Sequence, residues 1–212
     1  MGNSDTINAE YLEQARAGRP QALGELLQRN REKLLRIIKF RMDPRLRGRL
    51  DADDIVQEAF IEATSRFHDY CENQDMPFFL WLRFITVQKL FQMHRKHLGA
   101  KSRDAGREVS IYSGPSPQAT SAVLAAHLLG KHTSPSVAAM RAEATMRVER
   151  ALNSMSEMDR EILALRRFEK LQNHEVAQLL NISKTAASNR YIRALERLRK
   201  EVEGHQAGES RI

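Results

Sequence analysis

Lys184, Ser188, Asn189, Arg190, Arg193 and Arg197 fall in one short stretch whose other positions, Ala187, Tyr191, Ala194, Leu195 and Leu198, recur at helical spacing. A helix that buries the second set turns forked cations, an amide and a hydroxyl outward, a polar set suited to base edges and phosphates in a DNA major groove. The preceding residues supply its companion. Val176, Ala177 and Leu180 form the inward face of a first helix, Asn181 sits where the chain reverses through a left-handed conformation, Ile182 fills the corner, and Ser183 is a good N-cap, followed by Thr185 in the first turn. Residues 171–200 therefore read as a helix-turn-helix. The plainer reading is an antiparallel helix pair with a solvated basic face, and asparagine is less permissive than glycine at the reversal.

A second constellation lies near the N-terminus. Asp54, Glu58 and Glu62 are spaced four apart, so they stack on one helical face, where each like-charged pair costs about 0.2–0.5 kcal/mol. A basic partner relieves that repulsion, so the face reads either as a protein-docking surface or as merely solvated. Asp51, Asp53 and Asp54 have an ordinary reason to be there, because a helix N-terminus favours carboxylates. General acid–base work is unattractive, since no nucleophile or metal set accompanies them. Eight of the thirteen aromatic residues lie between Phe60 and Phe91, ahead of a basic run from Lys89 to Arg107. Most belong to a core, but one or two beside a basic surface suit the stacking of unpaired bases.

The elements that carry these residues are helical. Pro20 opens a helix to about Arg41, with Leu23, Leu26, Leu27, Leu34, Ile37 and Ile38 as its apolar stripe, ending before Asp43-Pro44. A shorter helix around Tyr11, Leu12 and Ala15 stops at Gly18. Asp51 caps a helix through about Phe67, the polar residues 68–76 form a loop, and Pro77 opens a helix to about Leu98. Residues 99–135 hold four of the ten glycines and three of the six prolines, which predicts a flexible linker, with a helical turn or two at 121–129. Helical patterning resumes near Val137, and Ser156 caps the helix before the helix-turn-helix. The expected fold is all-α: a helical domain over 9–98, a linker over 99–135, a helix-turn-helix domain over 136–203 and a frayed tail over 204–212.

Charge separates the same regions. The chain of 212 residues carries +7, yet residues 89–107 hold six Lys/Arg against one Asp, and residues 184–200 hold six against one Glu. Two basic stretches on an otherwise mildly acidic chain predict two contacts with a polyanion, although a basic amphipathic helix also suits an anionic membrane surface. No apolar run is long enough to span a membrane and the N-terminal residues lack a signal pattern, so a cytoplasmic protein is expected. Cys71 is the only cysteine, which fits a reducing compartment. His68 with Cys71 and His94 with His97 have metal-type spacing, but polar histidines in a basic helix are the simpler reading, so no cofactor or metal is expected. With no nucleophile constellation or phosphate-cradling glycine loop, an enzyme is not expected.

Residues 53–63 (DDIVQEAFIEA), the FFLWL segment with its basic continuation, and residues 152–199 together resemble the bacterial extracytoplasmic-function sigma factors. The likeness covers roughly residues 9–203. It implies a dissociable subunit of RNA polymerase that directs promoter-specific initiation. On this likeness Asp53, Asp54, Gln57 and Glu58 dock on the clamp helices of the large polymerase subunit, and the flap region is a further contact. The loop from Asp69 to Met76, with Asp69, Tyr70 and Asn73, matches the segment that captures a flipped minus-ten base. Phe84, Gln88, Lys89, Gln92, Arg95 and Lys96 lie on the helix that reads and melts that element. Ser183, Lys184, Thr185, Ser188, Asn189, Arg190, Arg193 and Arg197 match the reader of the minus-thirty-five element. Gln88 and Gln92 stand where asparagine and aspartate are frequent, and Ala186-Ala187 replaces the usual Thr-Val. The likeness implies promoter DNA as partner, both duplex and melted strand, and admits an anti-sigma factor. A conventional helix-turn-helix regulator leaves the acidic helix and aromatic segment unexplained. A polymerase-binding antagonist leaves the basic helix unexplained.

Overall fold

The computed structural model describes residues 3–73, 75–98, 121–130 and 138–209, and the described residues contain helices and turns but no strand. The chain divides into two compact units, residues 1–105 and 106–212. The all-α expectation and the two-unit division hold.

In the first unit, α1 (Asn3–Arg16) ends at Gly18, whose φ of 82° only glycine adopts without strain. The helix begins well before the short segment expected around Tyr11. Pro20 is the first residue of α2 (Pro20–Arg41), and Leu23, Leu26, Leu27, Leu34, Ile37 and Ile38 are all buried along it. A single 3-10 turn over Pro44–Leu46 follows. Asp51 caps α3 (Ala52–Ser65) by accepting the Asp53 backbone N–H, and Ile55, Val56, Ala59 and Ala63 face inward.

The expected loop over 68–76 is corrected in part: Phe67–Glu72 is a short helix, α4. Its polar sequence gives no helical signal, and what holds it is tertiary. Tyr70 is buried and stacked on Trp81 with ring centroids 4.6 Å apart. Residues 73 and 75–77 remain irregular before α5 (Phe78–Leu98).

In the second unit, α6 (Ser121–Leu128) packs on α7 (Ala138–Ser154) with Leu124 and Ala125 buried. The linker expected over 99–135 is therefore too long: apolar burial draws 121–128 into the C-terminal unit. The rest of that stretch, 99–120 and 131–135, lies outside the described residues. Ser156 caps α8 (Glu157–Leu163) by accepting the Asp159 N–H at 3.2 Å. A π-helical turn over Ala164–Phe168 continues it, and Lys170 closes the turn at φ 57°. α9 (Asn173–Leu179) and α10 (Lys184–Glu209) complete the unit. The tail expected from 204 is helical to Glu209, extended by i,i+4 support such as Arg199 to Glu203 at 2.7 Å.

The turn between α9 and α10 is a Schellman closure. Asn181 has φ 51°, its N–H bonds to the Gln178 carbonyl at 3.2 Å, and the Ile182 N–H reaches the Ala177 carbonyl at 3.0 Å. Asn181 is exposed, so its contribution is conformational. Asn181→Val should destabilise the chain by about 1–2 kcal/mol, and Asn181→Gly should be neutral or gain a few tenths, because only the first forces a β-branched residue into the left-handed region. Urea unfolding followed by far-UV dichroism checks the order of the three proteins; equal stability of the valine and glycine variants contradicts it.

Candidate nucleic-acid interface

The second unit presents α10 by four ties. The Ser183 hydroxyl accepts the Ala186 N–H at 3.1 Å, setting the first turn, and the Asn173 amide donates to the Lys184 carbonyl at 2.8 Å, fixing that turn to α9. Midway along, the guanidinium groups of Arg166 and Arg167 lie 5.2 and 6.0 Å from the centre of the Tyr191 ring. Farther on, Arg197 donates to the buried Asp159 of α8. Ala187 and Ala194 are fully buried while Tyr191, Leu195 and Leu198 are half-buried, so the helix sits inward on small residues.

Ser183, Lys184, Thr185, Ser188, Asn189, Arg190 and Arg193 are all exposed, and Thr185, Asn189 and Arg193 follow one another at one-turn spacing, with Ser188 alongside them. Arg197 departs from the sequence-based expectation: its ion pair with Asp159 commits it to holding the helix. Ile192, half exposed among these polar groups, was missed because its helical phase is ambiguous from sequence. It adds an apolar contact of the kind a thymine methyl group accepts.

The first unit sorts its charged residues by the same criterion. Asp53 accepts a hydrogen bond from Arg31, and Glu62 pairs with Lys89 at 2.7 Å and Arg66 at 3.1 Å. The basic partner wanted for Glu62 thus lies within the chain, and Lys89 is spent on that pair, against the expectation that it faces DNA. Ahead of its last turn, where Thr64 and Ser65 are exposed, α3 exposes Asp54, Gln57, Glu58 and Ile61, the last 73% exposed. Ile61 follows Gln57 by four and Glu58 by three, so the face is acidic with an apolar centre.

Tyr70 also departs from expectation. It is buried, stacked on Trp81 and edge-on to Phe78 at 5.7 Å, and its hydroxyl donates to the Met76 carbonyl at 3.3 Å. Burial raises its pKa above the ordinary tyrosine value. It is framework for the segment and is not open to a base. Asp69 and Asn73 are exposed, with the Asn73 amide donating to the Asp69 carbonyl at 3.2 Å. Phe84 and Gln88 are half-buried and Gln92 is exposed, four residues apart along one line of α5 that leads to exposed Arg95 and Lys96. Arg95 lies 5.4 Å from the centre of the Phe91 ring. His94 accepts the Asp43 backbone N–H at 3.4 Å, and burial holds its pKa below the ordinary histidine range, so it serves as a neutral acceptor.

A helix-turn-helix unit with an exposed basic reading helix, in one chain with a unit that carries an acidic–apolar face and a basic helix end, defines a DNA-binding protein that also docks on another protein. Comparison with known proteins gives the family. Residues 26–98 match the family model for Sigma-70 region 2, and residues 151–200 match that for Sigma-70, region 4. The chain is 29% identical over 206 residues to the ECF RNA polymerase sigma factor SigD of Mycobacterium bovis and of Mycobacterium tuberculosis, covering 94% of this chain and 87% of the relative. Its fold resembles that in the structure of CnrH in complex with the cytosolic domain of CnrY, with a TM-score of 0.53, 21% identity, and coverage of 93% of this chain and 98% of that one. The chain belongs to the ECF sigma factors, proteins that direct transcription initiation and are not themselves enzymes.

The Glu62 pair has a measurable signature. Hydrogen bonding from Lys89, then from Arg66, holds the Glu62 carboxyl below its ordinary value of 4.5. A depressed carboxylate adds stability that is complete above the unfolded value and is lost as pH falls through the lower folded value. Glu62→Gln should therefore cost about 1 kcal/mol at neutral pH and flatten the decline of stability below pH 4.5. The single tryptophan, Trp81, lies in this unit and reports its urea unfolding. Parallel pH profiles for the two proteins contradict the assignment.

Proposed function

We propose a division of labour along the two units. The α3 face of Asp54, Gln57, Glu58 and Ile61 docks on the polymerase core, with Asp53 held by Arg31 as its support. The α4–α5 segment, through Asp69, Asn73, Phe84, Gln88, Gln92, Arg95 and Lys96, captures the melted minus-ten strand. The exposed residues of α10, from Ser183 to Arg193 with Ile192, read the minus-thirty-five duplex. Residues 9–98 and 136–203, the latter extended by α6, are the bodies that carry these tasks.

The observation that carries the reading is the α3 face: four adjacent exposed positions combine carboxylates with a 73% exposed isoleucine, while neighbouring Asp53 and Glu62 are neutralised within the chain. A face left acidic and apolar beside internally paired carboxylates suits a basic protein partner with an apolar centre. Extruding a base costs a few kcal/mol, which pocket contacts and a basic helix end offset. Work on the polymerase core supports a cytoplasmic location for the protein; no described helix is long and apolar enough to cross a membrane. A protein antagonist is a further partner in this reading, by analogy with CnrH, solved with the cytosolic domain of CnrY.

Adding the purified chain to polymerase core should produce initiation at defined promoters; none above core alone overturns the reading. The double variant Asp54→Lys with Glu58→Lys should lower co-purification with core by tenfold or more while its unfolding free energy moves by no more than about 0.5 kcal/mol, since both positions are exposed. Undiminished co-purification removes α3 from the docking role.

A further inference from the structure

Besides the two basic stretches already described, residues 29–49 hold nine Lys/Arg against two acidic residues. Along α2, Arg29, Arg31, Lys33 and Arg41 are used inside the unit, while Arg36 and Lys39 are exposed on its surface. Arg31 binds Asp53, the Lys33 ammonium sits 3.4 Å from the centre of the Phe79 ring, and Arg41 is buried. The loop that leaves α2 is different. Arg45 forks onto Asp43, with its Nε at 3.0 Å and a terminal nitrogen at 2.7 Å, but Arg47 and Arg49 are exposed and make no ion pair among the described residues.

This loop is firmly built. Leu46 is fully buried and anchors it, Pro44 fixes the first turn, and the Asp43 carboxylate accepts the Arg45 N–H at 2.9 Å. The N–H groups of Arg49 and Leu50 both bond to the Leu46 carbonyl, at 2.8 and 2.9 Å. Gly48, between the two arginines, needs no left-handed conformation, and a Cβ there meets nothing within 4 Å, so the space in front of the loop is open. Two guanidinium groups are thus held out on a preorganised turn.

Its position gives the partner. Lys33 meets Phe79, and ten residues farther along, the Asp43 N–H meets His94, so α2 and α5 run side by side in the same direction. The loop therefore stands beside the last turn of α5, where Arg95 and Lys96 are exposed. Asp43, the acidic residue of the turn, is already neutralised by Arg45, which holds its pKa at about 2.

We propose that Arg47 and Arg49 form a phosphate clamp on promoter DNA, gripping the duplex backbone that adjoins the segment lying along α5. The proposal rests on the function assigned above to α5. It adds a contact that carries no base preference: arginine forks fit phosphate oxygens, and such contacts fix register without reading sequence.

The test measures binding of reconstituted holoenzyme to a fork DNA, a duplex ending in a single-stranded minus-ten segment, over a range of salt concentrations. Each phosphate contact contributes about 0.9 to the slope of log affinity against log salt. The double variant Arg47→Ala with Arg49→Ala should flatten that slope by about 1–2 and weaken binding roughly tenfold at low salt, with discrimination among minus-ten bases unchanged. Arg47→Lys with Arg49→Lys should keep most of the slope. Co-purification with core serves as the control for folding and docking. An alanine variant with the wild-type slope overturns the clamp, and so does one whose loss is confined to core association, which assigns the patch to polymerase. Failure of the wild-type holoenzyme to bind the fork overturns the reading of α5 and the clamp with it.

Discussion

Burial of α5 is the constraint on which the first unit depends. Leu80, Leu82, Ile85, Thr86 and Leu90 are fully buried, and Phe78, Trp81, Arg83 and Val87 nearly so. A helix enclosed on almost every side over its first three turns leaves open only the half-buried line of Phe84 and Gln88 and its far end. Gln92, Arg95 and Lys96 are gathered there for that reason, and the parallel course of α2 brings the 43–49 loop to the same end. The two ion pairs of α3 follow from the same packing. Arg31 from α2 and Lys89 from α5 each hold one carboxylate, which sets the rotation of α3 and leaves Asp54, Gln57, Glu58 and Ile61 outside.

In the second unit the corresponding constraint is the seating of α10. Small buried residues, Ala187 and Ala194, let the helix lie close, and Asn173, Arg166 with Arg167, and Asp159 engage it at three heights. Partly exposed ion pairs and cation–π contacts are each worth about 1 kcal/mol or less. Their value lies in orientation: a reading helix that rotates by a fraction of a turn presents different side chains to the groove. The π-helical turn at Ala164–Phe168 serves the same end, since it sets Arg166 and Arg167 against the Tyr191 ring.

Sequence made local features legible and distant pairings not. Pro20, Asp51, Ser156, Asn181 and Ser183 each act within a few residues through φ preference or side-chain capping, and each stands where those preferences require. The short helix α4 was hidden because its stability comes from Tyr70 on Trp81; the helical turns of α6 were legible at 121–129, but not their packing on α7, because the partner lies downstream. The site residues that shifted role did so through long-range pairs. Lys89 finds Glu62 and Arg197 finds Asp159, separations over which periodicity carries no information. The exposed residues of α10 needed only helical phase, and most lie where that phase puts them.

The central claim is that one unit grips duplex DNA and the other holds a melted strand. Permanganate mapping of open complexes on matched and pre-melted promoter templates, at one salt concentration, tests it most directly. With Gln88 and Gln92 changed to alanine, strand opening should fail on the duplex template and recover when the minus-ten segment is already mismatched, because the cost of flipping has been removed. With Arg190 and Arg193 changed to alanine, the mismatch should give no such recovery, because the missing contact is to upstream duplex. Equal rescue of both variants by the mismatch, or rescue of neither, contradicts the account.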